Sequence, residues 1–370
     1  MPHRTTPPFR AEHVGSLLRP AEVTEARAAH AAGRITAAQL RAIEDKAIRE
    51  AVRMQEELGL EAITDGEMRR ETWHLDFYHQ IGGMEKSREL VKVPFHTASS
   101  DIPFEVEGLW IGRKLSLDKT IFGEDFSFLK SVTKAVPKLT IPSPTVAHRR
   151  GGQMLNRAVY ADADAMWRDL SRVYVEEIAA LAKLGCTYLQ IDDTSWAALC
   201  DPGTRDALSK AGHDGEHMHQ VYLKAFNDAV RNKPAGMTIV THTCRGNYRS
   251  AWMAEGPYDF IAEPLFSSLD VDGFFLEYDD ARSGGFAPLR FVPKGKMVVL
   301  GLVTTKKGAL ETKDGLKRRI DEAARYVPLD QLCLSPQCGF SSTVEGNALT
   351  QEEQRAKLRL VVETAREVWG

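Results

Sequence analysis

No stretch of this chain approaches the roughly 18 consecutive apolar residues of a membrane span. Its opening, MPHRTTPPFRAEHVGS, has no apolar core of the kind a secretory signal carries, and the expected location is the cytoplasm. An excess of one charge is also missing. Lys and Arg number 48 against 51 Asp and Glu, leaving a net charge of −3. No basic stripe marks a nucleic-acid contact, and no basic amphipathic helix marks a membrane surface. The five cysteines, Cys186, Cys200, Cys244, Cys333 and Cys338, are odd in number and sparse over 370 residues, which excludes a disulfide framework. Each is either a buried small hydrophobe or a metal-binding or catalytic thiol. A G-x-G-x-x-G after the first strand pattern is absent, which argues against a dinucleotide-binding doubly wound sheet. No fixed-period repeat and no Gly/Ser- or Pro-rich linker divides the chain.

What is present is a rhythm of short β-branched runs alternating with longer helical patterns. The runs are EHVGS (12–16), EAITDGE (61–67), LTIPSPT (139–145), TYLQIDD (187–193), MTIVTHTC (237–244), GFFLEYD (273–279), MVVLGLVT (297–304) and QLCLSPQC (331–338). Helical patterns cover 37–58, 163–184, 216–232, 257–269, 313–326 and 350–368. Eight strands with intervening helices predict an α/β protein of the TIM (β/α)8 barrel type, with residues 1–370 as one catalytic domain. Residues 84–135 break the rhythm with alternating apolar positions and turn signals. They read as a β-rich insertion or lid after the second barrel unit.

Barrel chemistry sits at the carboxyl ends of the strands, so the residues closing each run matter most. In THTC, His242 and Cys244 are two apart on a strand and point the same way. An imidazole and a thiolate so placed suit zinc. Alone the pair is weak, since polar strand ends are common. Cys338 strengthens it from the end of the eighth run, where Pro336 and Gly339 force a turn. Glu277, closing an apolar strand between the two cysteine-bearing ones, is the fourth candidate ligand. Glu263 is a rival, but it falls in a helical pattern. Cys186 opens its strand at the opposite end and reads as structural. Cys333 reads as buried, and Cys200 has no clear role.

A second group closes other strands: Ser16, Glu67 and Asp192. Together they offer the acceptors a fixed ammonium needs. The plainer alternative is that the neighbouring Asp65 and Asp193 cap helices. Arg19, His74, Trp196 and Arg245 lie near these motifs as rim residues.

These motifs, HVGS (13–16), DGE (65–67), QIDD (190–193), THTC (241–244), FLEYD (275–279) and SPQCG (335–339), resemble the catalytic barrel of cobalamin-independent methionine synthase, and more closely its short single-barrel relatives. The resemblance runs from about Ala11 to the C-terminus. It implies a zinc ion held by His242, Cys244, Glu277 and Cys338. It also implies that Ser16, Glu67 and Asp192 bind the amino group of homocysteine. The implied activity is that of a 5-methyltetrahydropteroyltriglutamate–homocysteine methyltransferase, with homocysteine as the small thiol partner. Two features depart from the family. The full-length synthase has a second barrel, and its strand seven ends in Asp-x-His where this chain has Thr304, Thr305 and Lys306. The donor therefore stays open among a folate, a methylated corrinoid protein and a sulfonium compound. Alkyl transfer to another small thiol, a zinc hydrolase and a structural-zinc binding protein are the alternative functions.

Overall fold

The computed structural model describes residues 4–97, 99–151 and 155–370. Among these residues, nine strands form two sheets. The main sheet is parallel and contains β1 (Ala62–Ile63), β4 (Val136–Pro142), β5 (Tyr188–Asp193), β6 (Thr238–Thr243), β7 (Gly273–Glu277), β8 (Met297–Val303) and β9 (Leu332–Pro336), in that spatial order. The second is an antiparallel hairpin of β2 (Gly82–His96) and β3 (Asp101–Ser116).

The helices between the strands have the expected boundary chemistry. Thr36 and Gln39 form a reciprocal capping box at the start of Ala37–Leu58, and Gly59 ends that helix in the left-handed conformation. Thr350 and Glu353 form the same box before Gln351–Trp369. Asp162 caps Ala163–Lys183 through the Ala165 amide. The helices bury apolar stripes against the outer face of the sheet, which curls around an inner cluster of Phe9, Val14, Tyr188, Val240, Phe275 and Val299. Inside this cluster lies a buried ion pair. Lys138 Nζ is 3.2 Å from Glu12 Oε2 and 3.2 Å from Gln190 Oε1, and Tyr188 donates to Glu12 Oε1 at 2.9 Å.

The main sheet therefore has seven strands, and the structure corrects the expected first one. Residues 12–16 are not a strand. The segment makes one isolated parallel bridge, Ala11 to Leu334, along β9. On its other side Leu17 donates its amide to Gly66 O at 3.0 Å. Three of its carbonyls are taken by side chains rather than by a ladder, while Ser16 O accepts the Phe340 amide at 2.9 Å. Gln190 Nε2 donates to Val14 O and the Thr64 hydroxyl to Gly15 O, each at 2.7 Å, and Lys138 donates to His13 O. A local alternation pattern cannot reveal that backbone groups will be claimed this way.

Further boundaries differ: the third predicted strand is Val136–Pro142, with Pro144 opening a helix, and the pattern at 257–269 is a 3-10 turn, Tyr258–Phe260, followed by the short helix Ala262–Ser268. The second predicted strand ends after Ile63, because residues 66–69 turn, with Gly66 and Glu67 at φ of 66° and 58°, which a ladder does not accept. In the 84–135 stretch, Gly123–Val132 is a helix rather than β structure, burying Phe126 and Leu129. No helix among the described residues is long and apolar enough to cross a membrane.

Candidate metal and substrate site

Parallel pairing aligns the strand ends. Asp192 of β5 lies beside His242 of β6, Thr243 lies beside Leu276 of β7, and Glu277 lies beside Gly301 of β8. The chain leaving β6 carries Cys244, and the chain leaving β9 carries Cys338. As a result, one ligand atom from each of His242, Cys244, Glu277 and Cys338 lies within 4.8 Å of the other three, and all four residues are buried. The two sulfurs are 3.4 Å apart. Tetrahedral zinc with Zn–S bonds of 2.3 Å separates two thiolates by roughly 3.8 Å, so small adjustments fit the pair to the ion.

The remaining atoms of these residues fit the same role. Glu277 Oε1 accepts the Arg245 amide at 2.7 Å, while Oε2 is buried with no hydrogen-bond partner and lies 3.9 Å from Lys306 Nζ. Neither His242 ring nitrogen has an oxygen or nitrogen partner, its neighbour being the Cys338 sulfur. Buried polar atoms of this kind cost free energy unless something pairs with them. Two thiols, an imidazole and a carboxylate form a zinc donor set.

The charges support each other. The hydrogen bond from Cys244, together with His242, holds the Cys338 thiol well below its ordinary range. That same hydrogen bond and burial push Cys244 well above it. Burial pushes Glu277 up to about 7, opposed by Lys306. The other cysteines behave as inert thiols, since burial pushes Cys186 and Cys333 up to about 12 and Cys200 up to about 11.

The second predicted group lies in the same cleft. This cleft opens to solvent and is lined by Ser16, Glu67 and Asp192 together with His242, Cys244 and Cys338. Glu277 is fully buried and does not line it. The Asp65 carboxylate accepts the Glu67 amide at 2.8 Å and so supports its unusual backbone. Arg19 donates to the carbonyls of Glu67 and Arg70 at 2.9 and 3.2 Å and fastens the same loop. Glu67 Oε1 accepts from the Thr140 hydroxyl at 2.8 Å, whereas Oε2 is buried and unpartnered. Burial raises the Glu67 carboxyl, against Arg70 and Arg19. Asp192 Oδ1 accepts from Gln190 at 2.7 Å, and burial pushes the group up to about 7 against the pull of His242. Ser16 Oγ accepts the Ser341 amide at 3.3 Å. Asp193 turns away to cap, accepting the Ser195 and Trp196 amides.

Of the four rim residues, His74 lines the cleft, Arg19 pins the Glu67 loop, Trp196 is core, and Arg245 is buried with its guanidinium 4.5 Å over the Tyr258 ring. Sequence reasoning missed an aromatic wall. Phe95 of β2, Phe104 of β3, Tyr248 and Trp73 line the cleft. The hairpin reaches it because His96 and Trp252 exchange backbone hydrogen bonds of 2.6 and 3.0 Å. The one sequence signal was the alternation in 84–135, which does not say where a hairpin will dock.

Comparison with known proteins agrees with this geometry. The profile of the cobalamin-independent synthase catalytic domain matches residues 9–122 and 152–367. An uncharacterized protein of Bacillus subtilis, YxjG, is 47% identical over 99% of this chain and 96% of its own length. A provisionally assigned vitamin-B12 independent methionine synthase from Listeria monocytogenes has a solved structure that superposes with a TM-score of 0.79. It is 38% identical over 99% of this chain and 100% of its own. A methionine synthase of Saccharolobus solfataricus is 25% identical over 93% of this chain and 95% of its length. The chain belongs to the cobalamin-independent methionine synthase catalytic-domain family.

Proposed function

We propose that this member of the family is a zinc-dependent methyltransferase that methylates the thiol of homocysteine to give methionine. The observation that carries this reading is the convergence of His242, Cys244, Glu277 and Cys338 on one buried point. That point adjoins a cleft that also holds Ser16, Glu67 and Asp192. The reading takes the chain as one catalytic domain. It treats the curled sheet, with residues 10–17 running between its edges, as a (β/α)8 barrel.

His242, Cys244, Glu277 and Cys338 would hold the metal. Zinc, when bound, keeps a coordinated thiol deprotonated and nucleophilic at neutral pH. The chain's own residues orient the acceptor. The unpartnered Glu67 Oε2 accepts an N–H of the homocysteine ammonium, and Asp192 and the Ser16 hydroxyl accept the others. Held by its amino end, the substrate extends its thiol toward His242 and the two cysteines. The Arg245 amide fixes one oxygen of Glu277 and leaves the other for the ion. Two carboxylates and no Lys or Arg line the described cleft, which favours an amino-bearing thiol over a sulfonate-bearing one.

The test offers zinc-loaded protein homocysteine with a panel of methyl donors and measures methionine. Absence of both a homocysteine-dependent change in zinc spectroscopy and any methionine would overturn the reading.

A further inference from the structure

We infer that the aromatic wall of the cleft binds the methyl donor, and that this donor is a small methyl onium cation, a sulfonium or quaternary ammonium compound. The inference rests on the methyltransferase reading above and adds the donor's chemical class.

Phe95, Phe104 and Tyr248 pack as one cluster, with ring centroids 5.7, 5.4 and 4.5 Å apart. Trp73 joins them around the cleft. Phe95 and Tyr248 are buried, so the ring faces they present are poorly hydrated. An aromatic face in such a place attracts a methylated cation, whose charge spreads over its methyl groups. The charged groups agree. Glu67 and Asp192 line the cleft, together with the Cys244 and Cys338 thiols, and among the described residues no Lys or Arg does. A donor bearing several carboxylates would meet two carboxylates and no cation among the described lining residues. The homocysteine ammonium occupies Glu67 and Asp192, which leaves the rings to the second cation.

The chemistry also suits this end of β8. In the transfer, the homocysteine thiolate forms a C–S bond to the donor methyl carbon. The bond from that carbon to the onium sulfur or nitrogen breaks, and its electron pair stays on the departing atom. The leaving group is a neutral sulfide or tertiary amine and needs no proton. A neutral nitrogen donor would leave as an anion unless an acid protonated it. The chain leaving β8 carries Thr304, Thr305 and Lys306, and Lys306 Nζ lies toward Glu277, at 3.9 Å from its Oε2.

The experiment uses zinc-loaded protein saturated with homocysteine. Labelled S-methylmethionine, glycine betaine, methyltetrahydrofolate, its triglutamate and methylcobalamin are offered separately. Label is expected in methionine from an onium donor alone. In parallel, calorimetry compares choline with its uncharged isostere 3,3-dimethylbutan-1-ol. Choline is expected to bind at least tenfold more tightly. Phe104→Leu and Tyr248→Leu should each weaken choline at least threefold while zinc content and homocysteine binding stay unchanged and both variants remain folded by circular dichroism. Equal binding of the isostere, choline affinity unmoved in both folded variants, or transfer from a folate or methylcobalamin but not from an onium compound would each overturn the inference. Loss of zinc or homocysteine binding in the unsubstituted protein would instead strike the methyltransferase reading, so the two failures are distinguishable.

Discussion

Cys244 and Cys338 are separated by 94 positions in the chain, yet their sulfurs lie 3.4 Å apart. One is the most acidic thiol of the described residues and the other is held protonated by the hydrogen bond between them. Cys333, five residues before Cys338, sits inside β9 among apolar side chains and behaves as a hydrophobe. This contrast leads to the first prediction. Cys244→Ala, Cys338→Ala and His242→Ala should each lower zinc affinity at least tenfold, about 1.4 kcal/mol. Cys333→Ala should bind zinc normally. Metal analysis after dialysis against a weak chelator measures this, and full retention in all three ligand variants would refute the site.

Zinc uptake should depend on pH. Glu277 in the metal-free protein titrates near 7, and Cys244 stays protonated well above that. Both must lose their protons to bind the ion. Apparent affinity should therefore fall as pH drops below about 7, and Glu277→Gln should flatten that part of the dependence. The same raised value bears on stability without metal. A carboxyl at 4.5 when unfolded and about 7 when folded binds more protons in the folded state between those values. Stability should decrease as pH rises from 4.5 to 7, by about 3 kcal/mol for this group as an upper figure. Denaturant titrations of chelated protein at pH 5 and 7.5 measure it.

Glu67→Gln and Asp192→Asn should raise the homocysteine concentration needed for half-maximal rate by roughly 10- to 100-fold, the effect of removing a charge-assisted hydrogen bond. Zinc content should not change. A variant that loses zinc as well would place its residue in the metal site instead.

Gly339 faces Ser16 so closely that a Cβ there would collide with the Ser16 hydroxyl. Gly339→Ala should therefore displace that hydroxyl and weaken homocysteine binding about as much as Ser16→Ala. The double variant should be no worse than either single one, because both remove the same contact. Additive losses would show that Gly339 acts by another route.

The buried pair Lys138–Glu12 lies in the sheet interior, and neither residue is among the described lining of the cleft. Lys138→Met leaves the Glu12 carboxylate buried beside Tyr188 with no cation and should cost about 3 kcal/mol in urea unfolding. Activity per folded molecule should be retained.

Much of this architecture was legible in the residues. Seven of the eight runs contain strands, and the helices at 37–58, 163–183, 218–230, 313–323 and 351–369 fall on the predicted patterns, because period and caps are local properties, whereas the helices at 21–31, 144–151, 195–200 and 202–210 were not expected. The run at 12–16 misled because Val14 does face the interior, while the carbonyls of His13, Val14 and Gly15 bond to Lys138, Gln190 and Thr64 side chains. Residues 123–132 misled because a short amphipathic helix at the end of a β-patterned stretch has few repeats to declare itself. The aromatic wall was not legible at all. Phe95 and Phe104 belong to the hairpin, and only its backbone pairing with Trp252 brings them to the cleft.

By itself, then, the sequence determined which side chains stand at strand ends and which of them share a face, since alternation is a property of the extended chain. His242, Cys244, Glu277 and Cys338 were identifiable on that basis. Only the tertiary structure decided that these four meet within 4.8 Å, that Glu277 stands behind the cleft rather than in it, and that a hairpin supplies the aromatic side. Those outcomes depend on how far the sheet curls and where the hairpin docks. Both are set by packing between segments tens to hundreds of residues apart, which no local pattern encodes.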